Sequence, residues 1–295
     1  MKRGSTMVYK MLAVNIDGTL LQNNGKVSKA TRESLRYVQE KGVAVVLVTS
    51  RNFQSCKKLV KALKIRSMVV AAQGAYIGAY NDKPLFIKKM DEDTTMLTAK
   101  FLENIGCHFK LNLLSSQLAN RVDLPENLLG KMAVYVSEQT TFSQHYVDSV
   151  SGHLEANPST PMSIEAFFKN KKEQQDAMRV LTGMFTEIQV IQKEDNKLLI
   201  TSAQVSKWRG VRYLADLFGI ADQEIVSIGN GKDDIELIKG SGVGVAMGNG
   251  DAELKAAADW ITRSNDEDGI SYTVKELFRK QYQLQFLEKM NLLKK

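Results

Sequence analysis

Four short, largely apolar runs constrain this chain more than any other feature: Met11–Ile16, Val43–Val48, Met68–Ala72 and Ile225–Ile228. Each is nearly free of alternating polar residues, so each reads as a strand buried on both faces. Segments with helical periodicity separate them. Ser28 is placed to cap a helix running to about Lys41, with Ala30, Leu35 and Val38 on one side and Gly42 just past the end. Asn52–Lys64 reads as a second helix. Further on come a short helix at Asp233–Lys239, a strand at Val243–Met247, a helix at Asp251–Ala258 and a last strand at Trp260–Ile261. Strands alternating with helices in this way predict an α/β fold, a Rossmann-like parallel sheet covered on both faces. Ligands of such sheets sit at the carboxyl ends of the strands. The loops to inspect are therefore Asn15–Thr19, Thr49–Arg51 and Gly229–Asp234.

The middle of the chain breaks this rhythm. It contains strand-like Met132–Ser137, a Pro-rich turn at Asn157–Pro161 and strand-like Glu187–Gln192, and all four prolines of the chain lie between positions 84 and 161. Residues 84–198 are expected to form an inserted α+β domain, with 1–83 and 199–295 making the parallel core. At the other end, Val274, Leu277, Phe278, Leu284, Leu287 and Leu292 predict a long amphipathic helix over Val274–Leu293. That helix packs on its own domain or forms a homodimer contact.

Bulk properties narrow the function classes. The formal net charge is +7, with Lys and Arg spread along the chain and not gathered in a block. This fits a solvated basic surface and gives no nucleic-acid footprint. Cys56 and Cys107 are the only cysteines, so no disulfide framework is implied. Cys107 adjoins His108, but adjacent residues lack metal-ligand spacing. Residues 1–9 look like a loose basic leader, and the apolar run after them is too short for a signal peptide. No stretch reaches the length of a membrane span. A cytoplasmic protein with no membrane partner is expected.

Four elements in chain order carry the chemistry: Asn15-Ile16-Asp17-Gly18-Thr19, then Thr49-Ser50-Arg51, then Lys207 opening a helical stretch, then Gly229-Asn230-Gly231-Lys232-Asp233-Asp234. Any one alone is more often a plain turn, cap or solvated lysine. Together they supply what phosphoryl transfer needs. A lysine and a divalent metal offset phosphate charge, a hydroxyl and backbone amides hold its oxygens, and carboxylates hold metal and move protons.

Taken together, the motifs resemble the haloacid dehalogenase superfamily, in its Cof-type branch with a large inserted C2 cap. The resemblance covers nearly the whole chain, including Asn249, Lys255, Asp259 and Asp268-Gly269 near the end. It implies a Mg2+-dependent phosphoric monoester hydrolase acting on a small phosphorylated metabolite, with the cap selecting the substrate. By this resemblance Asn15 stands at the nucleophile position, with Asp17, Thr49 and Lys207 as the other catalytic positions. Ile16, Thr49, Ser50, Lys207 and Asp233 fall where phosphate is bound, and Asn15, Asp17, Asn230 and Asp234 where magnesium is held. The departures fall on the chemistry. The family has aspartate where Asn15 and Asn230 stand, asparagine where Asp233 stands, glycine at Ser50 and asparagine at Gln73. A neutral amide forms no aspartyl-phosphate, and losing a covalent nucleophile removes roughly a millionfold of turnover. Weak or absent turnover is therefore expected, the alternative being a pseudophosphatase that binds a phosphorylated ligand or a protein partner.

Overall fold

The computed structural model describes residues 8–79, 83–121, 143–193, 196–279 and 281. The chain divides into two compact units. One comprises Met1–Ser50, Lys58–Pro84 and Ser206–Lys295; the other comprises Arg51–Lys57 and Leu85–Val205.

In the first unit the strands lie in the order Trp260–Ile261, Val243–Ala246, Ile225–Gly229, Met11–Asn15, Ala44–Val48, Ser67–Ala71 and Tyr76–Ala79. All neighbours are parallel except the last pair. The central strand Met11–Asn15 is buried along its whole length, which is why its sequence has no polar alternation. The helix Lys29–Glu40 begins where Ser28 accepts a hydrogen bond from Thr31 N at 3.0 Å. The strand Tyr76–Ala79 returns antiparallel and has no counterpart in the sequence reading.

The second unit holds a sheet whose described strands run in the order Ile188–Lys193, Lys197–Ser202, Ser163–Phe167, His108–Asn112, Ser116–Asn120 and Ser143–Val147. One face carries Phe109, Leu111, Ile164, Ala166, Leu198 and Ile200, which pack with Leu102, Leu154 and Leu181 of the covering helices. The other face is polar and still buried. There Glu165 meets Lys197 at 2.6 Å and Lys110 at 3.3 Å, and accepts from Asn112 Nδ2 at 3.0 Å. The strand Lys197–Ser202 pairs entirely within this sheet, and the first unit resumes at Ser206 where the sequence reading placed it at 199.

The long helix expected over Val274–Leu293 is not continuous. The helix spans Gly269–Phe278 and the chain leaves it at Arg279. Phe278 is buried against the Tyr9 ring, 5.8 Å between centroids. The Gln281 side chain then bridges Tyr9, accepting from its N–H at 2.9 Å and donating to its carbonyl at 2.7 Å. The chain is thus anchored to the residue preceding the first strand, which fixes the helix end. Residues 282–295, where the expected dimer face lies, and Met132–Ser137 are outside the described residues. Among the described residues, no helix is long and apolar enough to cross a membrane.

Candidate active site

Parallel neighbours end at one edge of a sheet, so register alone assembles the loops. Asn15 stands opposite Val48, and Val14 opposite Ile228. The residues that follow, Thr49 and Gly229-Asn230, therefore emerge beside Asn15.

Lys207 arrives from a helix, Lys207–Phe218, capped by Ser206, whose Oγ accepts from Arg209 N at 3.1 Å. Glycines allow this helix to press against the strand ends. A Cβ on Gly74 (φ +98°) would lie 2.2 Å from the Ser206 carbonyl oxygen, and one on Gly210 would lie 2.5 Å from Val70 Cγ1. The Lys207 side chain is buried. Its ammonium sits 2.6 Å from Asp234 Oδ1, 2.7 Å from Asp233 Oδ2 and 3.3 Å from Asn15 Oδ1. Burial by itself would favour the neutral amine, but Asp233 and Asp234 outweigh it and raise the pKa. Lys207 is therefore cationic.

Asp234 is fully buried and uses both carboxylate oxygens. One accepts from Lys207; the other accepts from the backbone N–H groups of Asn230 at 2.9 Å and Gly231 at 3.1 Å. This carboxylate holds the Gly229–Asp234 turn around the lysine.

The Asn15 amide has only one orientation that satisfies its neighbours. Lys207 can only donate, so Oδ1 faces it. Nδ2 then donates to the Asp17 carbonyl and to Asn230 Oδ1, each at 2.8 Å. Asn230 Oδ1 also accepts from Thr19 Oγ at 3.1 Å, which uses both of its lone pairs. Gly18 makes room for this arrangement. Its φ is +66°, and a Cβ there would lie 2.2 Å from Asn230 Nδ2.

Thr49 is fully buried, its N–H donating to the Val70 carbonyl at 2.8 Å and its carbonyl accepting from Gln73 N at 3.2 Å. Ile16 is buried, with its carbonyl accepting from Leu21 N at 3.0 Å, and Ser50 is half-buried at the strand end. Gln73 is in the left-handed region (φ 58°), and its buried Oε1 has no hydrogen-bond partner among the described residues. Four side chains named from sequence, Asn15, Lys207, Asp233 and Asp234, thus meet through direct contacts, and Asn230 joins them through Asn15. Sequence reasoning gave no role to Thr19 or Ser206, and it noted Asn249 only by position. Asn249 Nδ2 donates to the Gly18 carbonyl at 2.8 Å, bracing the first loop. Polar residues beside a motif were the available signal.

The chain is similar to known proteins over nearly its whole length. A family model described as haloacid dehalogenase-like hydrolase matches residues 12–274. The stress response protein YhaX of Bacillus subtilis is 37% identical over 286 residues, covering 97% of this chain and 99% of that protein. The 5-amino-6-(5-phospho-D-ribitylamino)uracil phosphatase YcsE of the same organism is 24% identical, covering 90% of this chain and 94% of that protein. The solved structure of a haloacid dehalogenase-like hydrolase from B. subtilis superimposes with a TM-score of 0.81 at 23% identity, covering 91% of this chain and all of that one.

Proposed function

The chain belongs to the haloacid dehalogenase-like hydrolases, and from that premise we propose a phosphatase scaffold that receives a small phosphorylated metabolite and turns it over slowly or not at all. Phosphatases of this family generally use Mg2+. The observation that carries the reading is the Asn15 amide, fixed by Lys207 where the attacking carboxylate would stand. Its oxygen bears no charge and is held by an ammonium, so it neither attacks phosphorus nor forms a phosphoryl ester. The Lys207 ammonium supplies positive charge to meet a phosphate group, and Asp17 remains as an acid or base for direct attack by water. Removing an ionised carboxylate from position 15 also removes its repulsion of a phosphate dianion, about 4 kcal/mol for one unit-charge pair near 4 Å at an effective dielectric of about 20.

A second reading is a pseudophosphatase that senses a phosphorylated ligand. It is favoured by the same neutral Asn15 and by the 37%-identical relative, whose name states a stress response and no reaction. One assay separates the two. p-Nitrophenyl phosphate and a sugar-phosphate panel are assayed for hydrolysis with Mg2+, using the native chain, Asn15→Asp, and Asn15→Asp combined with Asn230→Asp and Asp233→Asn. Native turnover above the metal-only background supports the slow enzyme. Ligand binding without turnover, with activity gained in the variants, supports the sensor. No binding and no turnover in any form overturns both readings.

A further inference from the structure

We infer that hydrogen bonds from the Asn15 amide stand in for the bonds a divalent cation would make, so that this site is closed and takes no metal. The inference goes beyond the phosphatase reading and stands whether or not a phosphate ester is turned over.

Magnesium needs hard oxygen ligands in near-octahedral array at about 2.0–2.1 Å, usually with one or two carboxylates among them. Adjacent oxygens of such an array are then about 2.9 Å apart. The atom at position 15 that faces the Asp17 carbonyl and Asn230 Oδ1 lies 2.8 Å from each, the spacing of neighbouring ligands. That atom is a nitrogen carrying two hydrogens, both directed at acceptors. A carboxylate at position 15 would show one oxygen to Lys207 and the other to a cation. An amide has only one oxygen, and the buried ammonium takes it. Rotating the amide would set its N–H2 against that ammonium, donor against donor, in a site where an unsatisfied polar group is expensive.

The side chains of Asn230, Asp234 and Asp233 are also spent. Asn230 is neutral, and its oxygen already accepts from Asn15 and Thr19. Both Asp234 oxygens are bound by Lys207 and by two backbone N–H groups, and Asp233 pairs with Lys207. No ionised oxygen among Asn15, Asn230 and the Asp17 carbonyl faces the cation position. The exchange of residues at 230 and 233 fits this pattern. A carboxylate has left the cation's side of the site, and one now stands against Lys207.

The test titrates Mn2+ alone into the full-length native chain, into Asn15→Asp and into Asn15→Asp/Asn230→Asp. Free Mn2+ is read by electron paramagnetic resonance, and thermal unfolding is followed with and without Mg2+. The native chain is expected to show no saturable Mn2+ site into the millimolar range and no Mg2+-dependent rise in Tm. The double variant is expected to bind Mn2+ about a hundredfold or more tighter and to be stabilised by Mg2+. Stoichiometric Mn2+ binding by the native chain, lost on Asn230→Ala, overturns the inference. So does a folded double variant that gains nothing, because the amides are then not what excludes the cation. Should the double variant fail to fold, the native titration and the Asn15→Asp titration decide by the same criteria.

Discussion

Replacing Asp234 by Asn tests the arithmetic of donors and acceptors on which the site rests. The native carboxylate accepts from Lys207 with one oxygen and from two backbone N–H groups with the other. An amide of the same shape offers one acceptor and one donor group. In either orientation its N–H2 faces a donor, the lysine ammonium or the backbone amides of Asn230 and Gly231. At 2.6 Å and an effective dielectric of about 20, the lost ion pair is worth roughly 6 kcal/mol before solvation is counted. Lys207 keeps Asp233 as a partner, and the desolvation of Asp234 is relieved, so the net loss is expected at about 3 kcal/mol, the lower end for breaking a buried pair. That corresponds to a fall in Tm of about 6–12 °C. Urea unfolding followed by tryptophan fluorescence is the suitable assay. The chain has two tryptophans, Trp208 and Trp260, and both lie in the first unit. Asp233→Asn is the control. Its side chain is partly exposed (10%) where that of Asp234 is not (0%), so its loss should be clearly smaller. An Asp234→Asn protein within about 0.5 kcal/mol of native, or one no less stable than Asp233→Asn, would refute the reasoning.

Two further outcomes follow from the same structure. Burial alone would raise the Glu165 pKa, but Lys197 and Lys110 together with the Asn112 amide outweigh it and bring it from the usual 4.5 to about 2. A depressed folded pKa gives stability that is present above the unfolded value and lost as pH falls through the folded one, here about 3 kcal/mol between roughly pH 4.5 and 2. Glu165→Gln should therefore destabilise the second unit at neutral pH and flatten its acid limb, read by circular dichroism and by amide exchange in His108–Asn112. An unchanged acid limb would contradict the ion-pair account. Gly74→Ala should cost about 3 kcal/mol or more, because its Cβ would lie 2.2 Å from the Ser206 carbonyl at φ +98°. A loss under about 1 kcal/mol in urea would show that the helix carrying Lys207 is less tightly seated than described.

Much of the fold was legible in the sequence because its signals are local. Short, largely apolar runs mark strands buried on both faces, and Met11–Asn15, Ala44–Val48 and Ile225–Gly229 lie within a residue of where those runs stand. Ser28 marks a helix start by the same kind of short-range bond. The strand Tyr76–Ala79 was missed because its four residues, Gly78 among them, carry no distinct period. The end of the last helix was overshot because it is set by Tyr9, at the far end of the chain. Nothing in the periodicity of 274–293 reports that anchor.

Residue identity alone shows that position 15 carries no charge, and that Lys207 and the Asp233-Asp234 pair stand at the places of the family's later motifs. Which way the Asn15 amide points, and which groups the lysine binds, come from the folded arrangement. Hydrogen-bond direction is set by partners, and the partners of Asn15 stand 192 and 215 residues away, at Lys207 and Asn230. A string of residues states which groups can donate and which can accept; the fold alone chooses the pairs.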